Sequence, residues 1–140
     1  MTLAGEEWGT SSWFEVTQAQ IDRFADVTRD HQWIHVDVAR AQAGAFGATI
    51  AHGFLTLSML PFLSDQVATV SGFSMAVNYG LDRVRFPSAV PVGSRIRASI
   101  RNVTTLDIGE CVQIVNRITV EIKGATKPGC VADAVARFYP

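Results

Sequence analysis

The run Phe54-Leu55-Thr56-Leu57-Ser58-Met59-Leu60-Pro61-Phe62-Leu63 is apolar on most faces of a helix. A helix of that kind must be enclosed on more than one side. The segment is predicted to run on to about Val67, and Pro61, which lacks a backbone N–H, to kink or divide it. It is too short and too interrupted to span a bilayer. What can enclose it lies further along the chain. Ile96, Ala98 and Ile100 alternate with Arg95, Arg97, Ser99 and Arg101. Val112, Ile114, Ile118, Val120 and Ile122 alternate with Gln113, Arg117, Thr119, Glu121 and Lys123. Ala132, Ala134, Ala136 and Phe138 alternate with Asp133 and Arg137. Period two with one polar face predicts antiparallel strands. Met75 to Phe86 reads as a fourth, less regular strand. Pro87–Gly93, Asp107–Gly109 and Gly124–Gly129 carry turn residues. The expectation is an α+β domain in which an antiparallel sheet curves around one central helix. The outer side of that helix still needs a cover, from a second subunit or from the front loops.

Upstream, Trp13 to Val16 reads as a short strand. Thr17 offers an N-cap oxygen, with Gln20 three residues on as a capping-box partner. Ile21, Phe24, Ala25 and Thr28 then fall at helical spacing, and this helix should end near Arg29. Asp30 to Val36 reads as a loop. Asp37 can cap a short helix through Ala43, with Gly44 at its C′ position. Phe46 to His52 reads as another loop, with Gly47 and Gly53 as flexible points. Residues 1–12 read as a flexible lead-in.

The 140 residues suit one domain, taken here as the whole chain. With 48% hydrophobic and 18% charged residues, a packed core is expected rather than disorder. A net charge of −1 gives no electrostatic ground for binding nucleic acid or an anionic membrane. Cys111 and Cys130 stand alone, without a CxxC pair or a histidine at ligand spacing, so a metal site is weakly supported. The first residues carry Glu6 and Glu7 and no apolar signal core. A cytoplasmic protein is expected.

The chemistry-bearing segment is Asp30-His31-Gln32-Trp33-Ile34-His35, followed by Ala51-His52-Gly53-Phe54. On a continuous helix Asp30 and His35 would diverge, whereas on an irregular loop they can converge. A carboxylate and an imidazole on one water meet two needs of hydrating an enoyl thioester: a base for the water and an acid for the α-carbon. The developing oxyanion needs donors, which a helix N-terminus supplies. Gly53 opens the buried helix and permits close backbone approach. Plainer readings stand beside these. Asp30 suits an Asx-turn, His35 and His52 suit structural roles, His31 solvent, Trp33 a core anchor and Asp37 a cap. Arg83 and Arg85 share one strand face and fit either CoA phosphates or solvent. Asn78, atypical in a strand, fits substrate binding or a bulge near Gly80.

Asp30 through His35 resembles the D-x-N-P-I/L-H motif of the MaoC-like, (R)-specific enoyl-CoA hydratases. Ile50-Ala51-His52-Gly53-Phe54 is similar to the family's entry into its central helix. Asn78 to Pro87 and Val90 to Ser94 resemble the strand and turn that follow. The Asp-His-Gln-Trp-Ile-His-Val-Asp form resembles the nodulation-protein-N-like subgroup. The resemblance covers about residues 13 to 139 and implies a hotdog fold, usually a homodimer with its site near the subunit interface. It implies reversible hydration of trans-2-enoyl-CoA to (R)-3-hydroxyacyl-CoA, with Asp30 and His35 as the catalytic pair and the Gly53 amide as oxyanion donor. It implies no metal or redox cofactor, the CoA thioester being the substrate. Two positions depart from the pattern: Gln32 replaces the motif's Asn and Trp33 its Pro. The loss of proline puts the loop's shape in question. A serine of the central helix has no counterpart, Pro61 lying near its place.

The same site run in reverse is a (3R)-hydroxyacyl dehydratase acting on acyl carrier protein. Thioester hydrolysis on the same fold and a non-catalytic hotdog partner subunit are further alternatives.

Overall fold

A computed structural model describes residues 4–140. Six strands and five short helices follow in the order β1 (Glu7–Thr10), β2 (Phe14–Glu15), α1 (Gln18–Thr28), α2 (Trp33–Val36), α3 (Val38–Gln42), α4 (Gly53–Ser58), α5 (Leu60–Asp65), β3 (Met75–Arg85), β4 (Arg95–Asp107), β5 (Val112–Ile122) and β6 (Cys130–Tyr139). All strand pairs are antiparallel, in the order β1-β4-β5-β6-β3, with β2 pairing β4 beyond β1.

The predicted alternation is realised. Ile96, Ala98, Ile100, Ile118, Val120, Ile122, Cys130 and Ala132 face one buried layer. Ile21 of α1, Leu55 of α4 and Leu60 and Leu63 of α5 pack onto that layer. Burying one such side chain stabilises the fold by about 1.5–3 kcal/mol. The opposite sheet face is laced by cross-strand pairs. Arg97 Nε donates to Glu121 across 2.6 Å, and Arg117 grips Asp133 through two bonds of 2.8 and 2.9 Å. Such pairs fix register more than they add stability.

The central helix is divided at Met59, with Pro61 in the first turn of α5, where a missing N–H costs little. Its burial is one-sided in a single chain. Leu55, Thr56, Leu60 and Leu63 are enclosed, whereas Phe54 is 68% exposed and Phe62 50%. The edge strand β3 is also open, with Met75, Val77, Tyr79 and Leu81 exposed. The predicted need for an outer cover is therefore unmet within one protomer.

Four local expectations change. Glu7–Thr10, within the segment read as flexible, pairs with β4 opposite Ser99–Arg101. Residues 1–3 of that segment lie outside the described residues. The strand expected over Trp13–Val16 shrinks to Phe14–Glu15. Residues 33–36, read as loop, form a helical turn. Gly44 follows α3 as expected but keeps an ordinary φ. A Cβ there would lie 3.2 Å from the Trp33 ring, so close approach, not turn geometry, requires glycine.

Candidate active site

Thr17 caps α1 through the full capping box: Gln20 N–H donates to Thr17 Oγ1, and Thr17 N–H to Gln20 Oε1. The helix ends at Thr28, and Arg29 takes a left-handed φ of 64° that turns the chain sharply into Asp30. Asp30 Oδ1 accepts from the Gln32 N–H at 3.3 Å, an Asx-turn that starts α2. Trp33 occupies the first position of that turn, where proline is favoured for its fixed φ. Here packing replaces the ring constraint: Trp33 lies on Gly44, and the Arg40 guanidinium covers its face at 4.1 Å. The loop shape that the missing proline left in question is thus held by other contacts. His35 arrives on the last turn of α2, buried to 6% exposure.

The loop brings together Asp30, His35 and His52, each presenting one nitrogen or oxygen within 4.8 Å of the others. Asp30 is exposed, while both imidazoles are enclosed. His35 Nδ1 donates to the Ile50 carbonyl at 2.7 Å. A carbonyl only accepts, so the proton sits on Nδ1 and the Nε2 lone pair is free to act as a base. Burial pushes the His35 pKa below its ordinary 6.5; the Ile50 bond opposes this, His52 adds to it, and Asp30 opposes it. The His35 carbonyl accepts from Gln18 Nε2 at 2.8 Å, and Thr49 Oγ1 donates to the same glutamine's Oε1.

His52, expected from the sequence to orient the loop, touches both members of the pair. Its Nε2 meets the Asp30 carbonyl at 3.0 Å, and its ring stacks on His35 with centroids 3.8 Å apart and planes 21° from parallel. Near-parallel rings aim their lone pairs side by side rather than at a common centre. Three donors at this spacing would therefore have to unstack to share a metal ion.

Gly53 is the first residue of α4, and its amide enters no backbone hydrogen bond among the described residues. A Cβ at Gly53 would lie 3.2 Å from the Phe86 ring. His31 points away from the pair, toward Asp26 at 2.9 Å. Asp37 caps α3 through the Arg40 N–H at 3.0 Å.

Asn78 sits on exposed β3 at an irregularity between Asn78 and Gly80, as one of its two readings expected. Arg83 and Arg85 do share a face. Val84 between them packs on the core, so both arginines lie on the opposite sheet face, Arg83 beside Asp133. Among the described residues, no hydrogen bond ties Asn78, Arg83 or Arg85 to Asp30 or His35. A groove of about 390 Å³ on that outer face, lined by Trp13, Glu121 and Lys123, includes neither Asp30 nor His35. Within one protomer the pair therefore meets solvent through exposed Asp30, with His35 buried behind it.

Residues 1–123 match the family model described as the MaoC like domain. The chain belongs to the MaoC-like domain family. It is 54% identical over 136 residues to 3-hydroxyacyl-thioester dehydratase Z of Mycobacterium tuberculosis, covering 96% of this chain and 90% of that protein. It is 43% identical over 144 residues to nodulation protein N of Rhizobium meliloti, covering 99% and 89%. Among solved structures, the monoamine oxidase regulatory protein of Archaeoglobus superposes with a TM-score of 0.81 at 26% identity, covering 97% and 89%. The fold is a hotdog: an antiparallel sheet wrapped around a central helix. This MaoC-like protein carries the expected Asp–His loop beside the entry to that helix.

Proposed function

We propose that this MaoC-like protein is a hydro-lyase that reversibly hydrates trans-2-enoyl-CoA to (R)-3-hydroxyacyl-CoA. The observation that carries it is the convergence of Asp30 and His35, with the His35 tautomer set by the Ile50 carbonyl. His35 Nε2 accepts a proton from water while the water oxygen bonds to C3. Asp30 holds the second water hydrogen and orients the attack. The C2=C3 π pair moves toward the thioester carbonyl, whose oxygen gains charge opposite the Gly53 N–H. As that enolate collapses, C2 takes the proton back from His35. One water is consumed, and the reverse sequence is dehydration. Burial makes imidazolium a ready acid, which suits His35 to the return step. Asn78 is a second substrate contact, and Arg83 and Arg85 meet CoA phosphates. No step calls for a metal or redox cofactor.

The working form is a homodimer. Exposed β3, with Phe54 beside Phe86 at its end, is an unpaired apolar edge of the kind that chains cover. A second copy there would add a wall near Gly53, against which Phe86 packs just past the end of β3. Free, buried Cys111 and Cys130 suit the reducing cytoplasm. Among the described residues no helix is long and apolar enough to cross a membrane.

The name of the mycobacterial relative favours a second reading, dehydration of a 3-hydroxyacyl thioester, whose carrier-protein form is the alternative to test. Crotonyl-CoA and crotonyl-carrier protein are assayed side by side, following loss of the enoyl absorbance and release of free thiol. Hydration of crotonyl-CoA without thiol release is expected. Turnover of the carrier thioester alone selects the dehydratase, thiol release selects a thioesterase, and silence on every substrate selects a non-catalytic partner.

A further inference from the structure

We infer that His52 is a positioning residue for the Asp30–His35 pair, its Nε2–H holding the Asp30 carbonyl and its ring supporting the His35 imidazole. This deepens the acid–base reading above and rests on it. The Asp30 carbonyl can only accept, so the 3.0 Å contact places the proton on His52 Nε2. The ring is held between neighbours, stacked on His35 at 3.8 Å and tilted against Phe24 at 4.9 Å. Nδ1 is buried and has no partner among the described residues. A side chain serving packing alone would do so without that orphaned nitrogen, as leucine or phenylalanine. The one polar atom that the imidazole uses is the donor to Asp30. Because Nδ1 is sealed, His52 acts through the pair rather than on the substrate.

The base of this grip is rigid. The His52 carbonyl starts α4 by accepting from the Leu55 and Thr56 amides at 3.0 and 3.2 Å. The next residue is Gly53, whose amide is the oxyanion donor proposed above. One residue thus ties the acid–base loop to the helix end that must face the thioester oxygen, which keeps proton donor and oxyanion donor in one frame.

The parent, His52→Gln and His52→Phe are compared on crotonyl-CoA. Glutamine keeps a donor of similar reach and loses the ring; phenylalanine keeps a ring and loses the donor. His52→Phe is expected to lower kcat by about tenfold or more with KM within about twofold, and His52→Gln to recover to within about threefold of the parent. A His52→Phe enzyme within about twofold of the parent kcat overturns the inference, as do two variants that fall equally. Long-range ¹H–¹⁵N spectra of the parent should show His52 protonated at Nε2. A proton on Nδ1 overturns the clamp whatever the activity, and this reading does not depend on any variant folding. A parent with Nε2–H but no turnover sinks the hydratase reading instead. The clamp then rests on the Asp30 carbonyl resonance, which should move in His52→Phe and return in His52→Gln.

Discussion

Asp30 and His35 sit five residues apart, on a spacing that a straight helix would waste. The left-handed Arg29, the Asx-turn of Asp30 and the single turn of α2 make it productive. Removing either group should be severe. Asp30→Asn and His35→Ala are each expected to cut hydration by about 10²–10⁴-fold in steady-state assays. The depressed His35 pKa sets the pH response. His35 takes up its proton at a pH below the ordinary 6.5, so the acid limb of kcat/KM should fall at lower pH than an ordinary imidazole would give. Stability follows the same sign. The unfolded chain takes up the proton first, so stability should drop as pH falls from 6.5 through the folded pKa, as denaturant titrations would show. The two positions proposed as catalytic were legible because a local motif carries them. The contacts of His52 were not, because the stacked ring and the carbonyl it grips come from distant chain segments.

At the level of elements, capping chemistry was readable from single residues. The Thr17–Gln20 box and the Asp37 cap both form. Thr17→Ala should cost about 1 kcal/mol in chemical denaturation, with activity per folded molecule retained. The turn of α2 escaped reading because Trp33 and the flanking Gln32 and Val36 carry no helical signature. Its start depends on the Asp30 side chain and its hold on Gly44. Strand β1 escaped because Glu7, Trp8, Gly9 and Thr10 lack an apolar alternation; pairing with β4 supplies the order. Glycine at the start of α4 permits close ligand approach, and the structure adds a packing reason. Gly53→Ala pushes a methyl against Phe86 at 3.2 Å, so the ring must shift by tenths of an ångström. Phe86 is 39% exposed and can give way, so thermal melts should show little change, while assays of the same preparation should show reduced turnover.

For the whole molecule, the alternating runs made the sheet and its apolar face legible, and the divided central helix followed from Pro61. What covers Phe54, Phe62 and β3 was not readable, since a single chain carries no description of its neighbours. A proposed second copy on that edge makes Leu81→Lys informative. The charge should shift the protein toward monomer in sedimentation at micromolar concentration, with activity falling in parallel. The holds on the acid–base loop close over long stretches of chain, 15 residues to Ile50, 17 to Gln18 and 22 to His52. Turnover is therefore a late reporter of refolding: it should return only after the slowest tertiary step, lagging the recovery of helical signal. A clipped fragment ending before Ile50 would contain both proposed reacting groups and yet is expected to be inert.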